Sequence, residues 1–258
     1  MSTHICPNCS NQFTGQFCNR CGQRQTHKIT LAYIWHDLAH AFTHTDRGFF
    51  HMMGQMFVRP GKVAYEYIVE AKRKRYFPPF QYLVLLGAIA TIVVVNSHYI
   101  ENTVKSMQEI TGTSQYSTKQ AAFMQKLSSL QSKYYNFVIM LQLPFFALSA
   151  LILYKRKHKY NYAEFLTLQT FVTGQFTLIS MTLMLTVFIT RSGLSYLNAI
   201  MMLASAFYHI WVYMGFFKER NFNGFLKALG SHILGLIFFT LFSMIIGIIV
   251  GIVILLTN

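Results

Sequence analysis

Five stretches of the chain stay apolar long enough to cross a bilayer, and polar or basic segments separate them. A hydrocarbon core of about 30 Å takes about 20 mainly apolar residues in helical form. On that measure the pattern predicts spans near 80–96, 134–154, 165–190, 194–217 and 229–256. The first has a short apolar centre, flanked by Tyr82 and Tyr99 as interfacial anchors. The second carries Pro144, which predicts a kink, and the fourth is interrupted by Asn198, Tyr208 and His209. Ahead of the spans, Leu31, Ile34, Trp35, Leu38 and Phe42 recur at helical spacing and predict an amphipathic helix. An apolar stretch over 49–58, the breaker Arg59-Pro60-Gly61 and a short helix over 62–70 come next. Pro78-Pro79 stops any helix from running straight into the first span and predicts a hinge between this arm and the membrane body.

Composition sharpens the class. Only 12% of the residues are charged against 53% hydrophobic, about half the charged share of a soluble domain, so a water-soluble globule is excluded. The net charge of +14 would suggest nucleic acid in a soluble protein, but its distribution explains it differently. Segments 1–79, 155–163 and 218–228 hold 10, 4 and 3 of the Lys and Arg, and the outward segments hold the remaining five of 22. The positive-inside rule then places the N-terminus in the cytoplasm and the polar, partly helical loop 97–133 outside. The first thirty residues lack an apolar run of the kind a cleavable signal has. The expected location is a bacterial inner membrane, in contact with lipid.

All four cysteines lie in the first 21 residues, as Cys6-Pro7-Asn8-Cys9 and Cys18-Asn19-Arg20-Cys21. Each C-x-x-C turn aims two sulfurs at one point, and two turns complete a tetrahedron around a metal. Cys6, Cys9, Cys18 and Cys21 are therefore the expected ligands of a structural zinc ion, with iron or a disulfide pair as rivals. A cytoplasmic position, being reducing, favours metal over disulfides. Gly22 eases the second turn, and Phe13 and Phe17 are expected to pack over the site. So small a segment folds on its metal. The expected fold class is an all-α membrane protein: a bundle of about five transmembrane helices with a small N-terminal zinc ribbon and amphipathic juxtamembrane helices. Its parts are a ribbon over 1–28, a cytoplasmic arm over 29–79 and a transmembrane domain over 80–258.

Other candidates carry two readings each. His36, His40 and His44 fall one helical turn apart, as a solvated helix face or as a secondary metal or pH-sensing site. Lys72, Arg73, Lys74 and Arg75 either set topology or contact anionic lipid head groups. Glu164 opens the third span, as a helix-dipole partner for the bases at 155–159 or as a cation or proton site. Gln169, Thr173 and Gln175 make half of that span polar, either bonding helix to helix or lining a path. Ser243, Gly247 and Gly251 permit close packing within the chain or across a homo-oligomer.

The order of short motifs resembles a bacterial family of zinc-ribbon polytopic membrane proteins of unknown function (the domain of unknown function 3667 type). The resemblance rests on the C-G-Q that ends the second knuckle (Cys21, Gly22, Gln23), the His-spaced helix 36–44 and the turns 46–48 and 59–61. It also rests on the basic-Tyr-Pro stretch 72–79 and on Tyr162-Ala163-Glu164. Two positions depart from the family pattern. Ala71 stands where the family tends to have Gly, and Phe165 where a His is usual. The resemblance implies an architecture and no reaction.

No hydrolase elbow, phosphate loop, dinucleotide fingerprint or zincin helix is present, and acidic residues number only eight. The expectation is a non-enzymatic scaffold or sensor whose ribbon docks a cytoplasmic protein, with transport of a small solute, ion or lipid as the alternative. An embedded metalloenzyme using the His stripe, and a tethered nucleic-acid binder, stand behind these.

Overall fold

The computed structural model describes residues 3–25, 28–34, 48–111, 118–190 and 194–257. The stripe His36, His40 and His44 lies outside them. The chain opens with a two-stranded antiparallel ribbon, β1 (Thr3–Ile5) and β2 (Gln12–Thr14), in which His4 faces Phe13. A helical turn covers 31–34, and α1 (Gly48–Val58) and α2 (Pro60–Ile68) complete the arm. Pro60 occupies the first turn of α2, where a missing N–H costs nothing.

Five long helices fall on the expected spans, the last beginning earlier than expected: α3 (Pro79–Ser97), α6 (Tyr135–Tyr154), α7 (Tyr162–Thr190), α8 (Leu194–Phe217) and α9 (Phe222–Thr257). Each is long and apolar enough to cross a membrane, so the chain is a multi-pass membrane protein. Between α3 and α6 lie α4 (Tyr99–Thr111) and α5 (Thr118–Lys133), joined by a 3.1 Å hydrogen bond from Ser132 to Glu101.

The third span, α7, is the axis of the bundle. Two-thirds of its apolar window (67%) is buried, against 11% of that of α9. It packs against α3, α6 and α8, while α9 leans on α6 and α8 and leaves Ile237, Leu241, Ile245 and Ile249 outward. Gly247 on α9 meets nothing within 4 Å, so among the described residues this position has no close partner within the chain. The polar residues that interrupt the fourth span turn inward. Tyr99 donates to the Asn198 side chain, and Tyr208 donates to the Met56 carbonyl at 3.0 Å. Asn198 and Tyr208 are satisfied in this way, and α8 runs as one continuous helix.

The arm is not hinged at Pro78-Pro79. Phe49, Met52 and Met56 of α1, and Val63, Ala64 and Tyr67 of α2, belong to the same buried core as Phe80, Leu83, Phe171 and Tyr213 of the spans. The Phe49 ring lies 5.6 Å from Phe77 and 5.3 Å from Tyr82, across the two prolines. The prolines turn the chain into α3, and apolar burial on both sides holds the turn shut. Deepest of all, Gly61 of α2 presses on Gly215 of α8: a Cβ at Gly61 would stand 2.6 Å from the Gly215 backbone.

Candidate metal centre and its clasp on the membrane body

The ribbon is built from two copies of one turn. The first copy has Ser10 N–H on the Cys6 carbonyl at 2.8 Å and Cys6 N–H on the Asn11 carbonyl at 2.9 Å. The second repeats them with Gly22 on Cys18 at 2.8 Å and Cys18 on Gln23 at 2.9 Å. The residue after each knuckle takes the left-handed conformation, Ser10 at φ 59° and Gly22 at φ 71°. Together the turns bring all four sulfurs within 4.8 Å of one another.

These residues fit a metal ion. The Cys6–Cys21 and Cys9–Cys18 sulfurs are 3.6 Å apart and unbonded. A tetrahedron with metal–sulfur bonds of about 2.3 Å has edges of about 3.8 Å, whereas a disulfide needs about 2.05 Å. Around Cys18, burial opposes the thiolate, but the backbone N–H groups of Cys21 and Arg20, with the Cys9 and Cys21 sulfurs, bring it down to about 6. Phe13 packs over the cluster as expected. Phe17 does not: it is 58% exposed, because it precedes its knuckle as Ile5 precedes the other, and both point away from the sulfurs.

Residues just after the second knuckle tie the ribbon to the body. The Gln23 side chain is buried, and its amide donates to the Ala71 carbonyl at 2.8 Å while its carbonyl accepts the Lys74 backbone N–H at 3.2 Å. Ile29 is buried in the main core, and Asn161, just ahead of α7, donates to its carbonyl at 3.1 Å. The basic run that Gln23 grips forms a 3-10 turn over Arg73–Arg75. Its side chains also turn back on the protein: Lys72 reaches Glu70 at 2.6 Å, Arg73 lies 4.8 Å above the Tyr33 ring, and Arg75 meets Glu66 at 3.4 Å. Glu66 itself is buried and accepts from the Tyr76 hydroxyl at 2.5 Å. Burial would raise its carboxyl, but Tyr76, Arg75, Lys72 and Arg59 hold it below the usual range.

The stretch from α1 through this clasp into α3 also decides the comparison with known families. Residues 46–91 match the family model described as Protein of unknown function (DUF3667). The DUF3667 match takes in the Arg59-Pro60-Gly61 turn, the Ala71 and Lys74 side of the clasp and the first two-thirds of α3, and does not include Gln23 or the cysteines. No curated protein and no solved structure matches the chain. The clasp explains one position within the match. Ala71 sits at φ 55°, a left-handed conformation that suits glycine. Ala71→Gly is therefore expected to raise stability by about 1 kcal/mol. Thermal unfolding checks this, and a lower midpoint would sink it.

Glu164 and the polar residues of α7 have local partners. Asn161 N–H donates to the Glu164 carboxylate at 2.8 Å, and Glu164 N–H to the Asn161 side chain at 2.9 Å: a reciprocal cap that satisfies the start of α7. Gln175 accepts from Tyr82 of α3 at 2.5 Å. Gln169 accepts from Tyr213 of α8 at 3.2 Å and donates to Thr173 at 3.2 Å. So Gln175 faces α3, whereas Gln169 and Thr173 face α8 and line a cavity of about 260 Å³.

The acid that gathers the bases is Glu219, in the short connection between α8 and α9. Lys157, His158 and Lys227 surround its buried carboxylate at 2.8, 3.0 and 3.2 Å. Burial pushes its pKa up, but the bonds from Lys157, His158 and Lys227 outweigh this and hold it at about 2. The cluster thus ties the connection after α6 to the one after α8. Sequence reasoning missed Glu219, whose partners Lys157 and His158 are distant in the chain, and Glu66, whose partners lie within ten residues of it. It also missed His232, and treated His209 only as an interruption; a histidine inside an apolar span was the available signal.

Proposed function

We propose that this is a non-enzymatic scaffold or sensor of a bacterial inner membrane, with a zinc-loaded ribbon on the cytoplasmic side that presents a docking surface for a protein partner. The observation that carries this reading is the Gln23 clasp. A ribbon held at Ala71 and Lys74 cannot change its fold without disturbing the mouth of the bundle. The exposed apolar pair Ile5 and Phe17, on the face away from the sulfurs, supplies the docking surface. Zinc suits four thiolates in a closed tetrahedral site, where no open position is needed. The basic end of the bundle sits among lipid head groups, and Lys74, whose side chain carries no acidic partner among the described residues, is the residue of the run best placed to meet them.

The test uses the full-length protein in native membranes, with crosslinking before extraction. Wild type is expected to recover a defined partner that Ile5→Asp with Phe17→Asp loses, at unchanged metal content. An identical set of crosslinked proteins from both would end the reading. Transport is the second reading, favoured by the polar face of α7 on the internal cavity. Liposome flux lowered by Gln169→Leu would support it, and Glu164, being a helix cap, is not expected to matter there.

A further inference from the structure

Inside the bundle, His209 of α8 and His232 of α9 stand side by side, their ring centroids 5.0 Å apart. They are 1% and 5% exposed, and among the described residues none of their four ring nitrogens has a hydrogen-bond partner. Tyr213 stacks on His209 at 3.9 Å, and Phe146 packs against both rings, so the pair is held in place by ring faces while its polar edges go unanswered. A buried unsatisfied polar group costs about 1–3 kcal/mol. Two adjacent ones in a span are retained where something completes them.

Both histidines line the 260 Å³ cavity, opposite Gln169 and Thr173 of α7. The rest of its wall mixes apolar Val138, Val172, Phe176 and Phe239 with Gln142, Thr177, Ser180 and Ser205, and the three hydroxyls donate to backbone carbonyls of their own helices. Among the described residues, none that bears a formal charge lines it. A divalent cation would have no counter-charge there, and an isolated ion at membrane depth is costly. Among the described residues, only the four cysteines form a group of three or more metal donors. An anion would meet no cation. Water alone would answer the imidazoles but also wet Val138, Val172, Phe176 and Phe239. The lining suits an uncharged molecule with flat apolar faces and hydrogen-bonding edges. At this volume, just under the usual range for drug-sized pockets, it suits a single ring.

We propose that this cavity binds the head group of a bilayer-borne quinone or quinol, with one ring oxygen at the His209–His232 pair and the opposite edge toward Gln169 and Thr173. A neutral imidazole offers one N–H and one bare nitrogen. The pair can therefore donate to a quinone carbonyl and accept from a quinol hydroxyl. The site is separate from the ribbon reading and requires nothing to pass through the bundle.

The experiment titrates full-length, metal-loaded protein in nanodiscs of zwitterionic lipid with decylubiquinone and a short-chain menaquinone analogue. Intrinsic fluorescence and thermal midpoint are the readouts. Saturable binding is expected, weakened at least tenfold by His209→Phe and by His232→Phe, and unchanged by Ile237→Ala on the lipid-facing side of α9. Should either Phe variant fail to fold, His232→Gln and Thr173→Val carry the same expectation. No binding by wild type overturns the proposal, as does binding that every variant retains, which is partition into lipid. A second equivalent of transition metal, lost in the His variants, also overturns it by making the pair a metal site.

Discussion

Stripping the metal from the intact protein is expected to unfold residues 3–25 and, with them, to release the backbone around residue 74. The ribbon has two three-residue strands and a buried cluster of Cys6, Phe13 and Cys18, far too little apolar burial to fold alone. A metal held by the four thiolates would supply that folding free energy through its binding. Chelation, or Cys6→Ser with Cys18→Ser, removes it. Because Gln23 is placed by the backbone bond from Cys18 to its carbonyl, loss of the knuckle also removes the acceptor that the Lys74 N–H uses. Hydrogen exchange is the measurement. Amides in 3–25 should lose protection entirely, and the Lys74 amide should exchange at least tenfold faster. The spans, which share no core with the ribbon, should be unchanged. Gln23→Ala separates the two steps: the ribbon stays folded and metal-bound, yet Lys74 loses protection. Full protection of residue 74 in the metal-free protein would show that the ribbon and the body are energetically independent.

Gly61→Ala is expected to be among the most damaging small substitutions in the protein. Its new methyl would stand 2.6 Å from the Cα and carbonyl carbon of Gly215 and from the Phe216 nitrogen, all backbone atoms that no rotamer change can move. The helices α2 and α8 must separate, which unpacks Val63, Ala64 and Val212, all fully buried. Overpacking of this kind costs about 3 kcal/mol. The reverse substitution is milder: a Cβ at Gly215 comes no nearer than 3.2 Å to the Gly61 Cα, so Gly215→Ala should cost about 1 kcal/mol. Thermal unfolding in detergent should rank wild type above Gly215→Ala and that above Gly61→Ala. The opposite order of the two variants would mean that the helices cross less tightly than these distances require.

How much of this was legible in the chain depends on the range of the interaction. Spans were legible because bilayer thickness sets their length, and α8 matches its expected limits at both ends. The expected start of α9 falls seven residues late. Asn223 and Lys227 lower the hydropathy there, while the signal that begins the helix is Asn221, which caps the Gly224 N–H at 2.8 Å. The thiolate cluster was legible because its geometry is set within each knuckle. The exposure of Phe17 was not, since both phenylalanines satisfy the same pattern and only the strand register separates them. Glu164 stands out in sequence through five neighbouring bases, yet a helix start turns its carboxylate onto its own backbone. Glu219 collects Lys157 and His158 from sixty residues away, a pairing that only the assembled bundle creates. The His209–His232 pair is of the same kind: two separate helices bring it together, and no local spacing announces it.

The two halves of the ribbon repeat the same pair of backbone hydrogen bonds around their knuckles. Among the side chains in which they differ, one pair bears on the seat of the ribbon. Where one half ends in Gln23, the other ends in Asn11, a methylene shorter and already spent on Asn19 at 2.7 Å. The half that ends in Gln23 is thus the one whose side chain reaches the bundle, at Ala71 and Lys74, and the reach of one amide gives the head a top and a bottom.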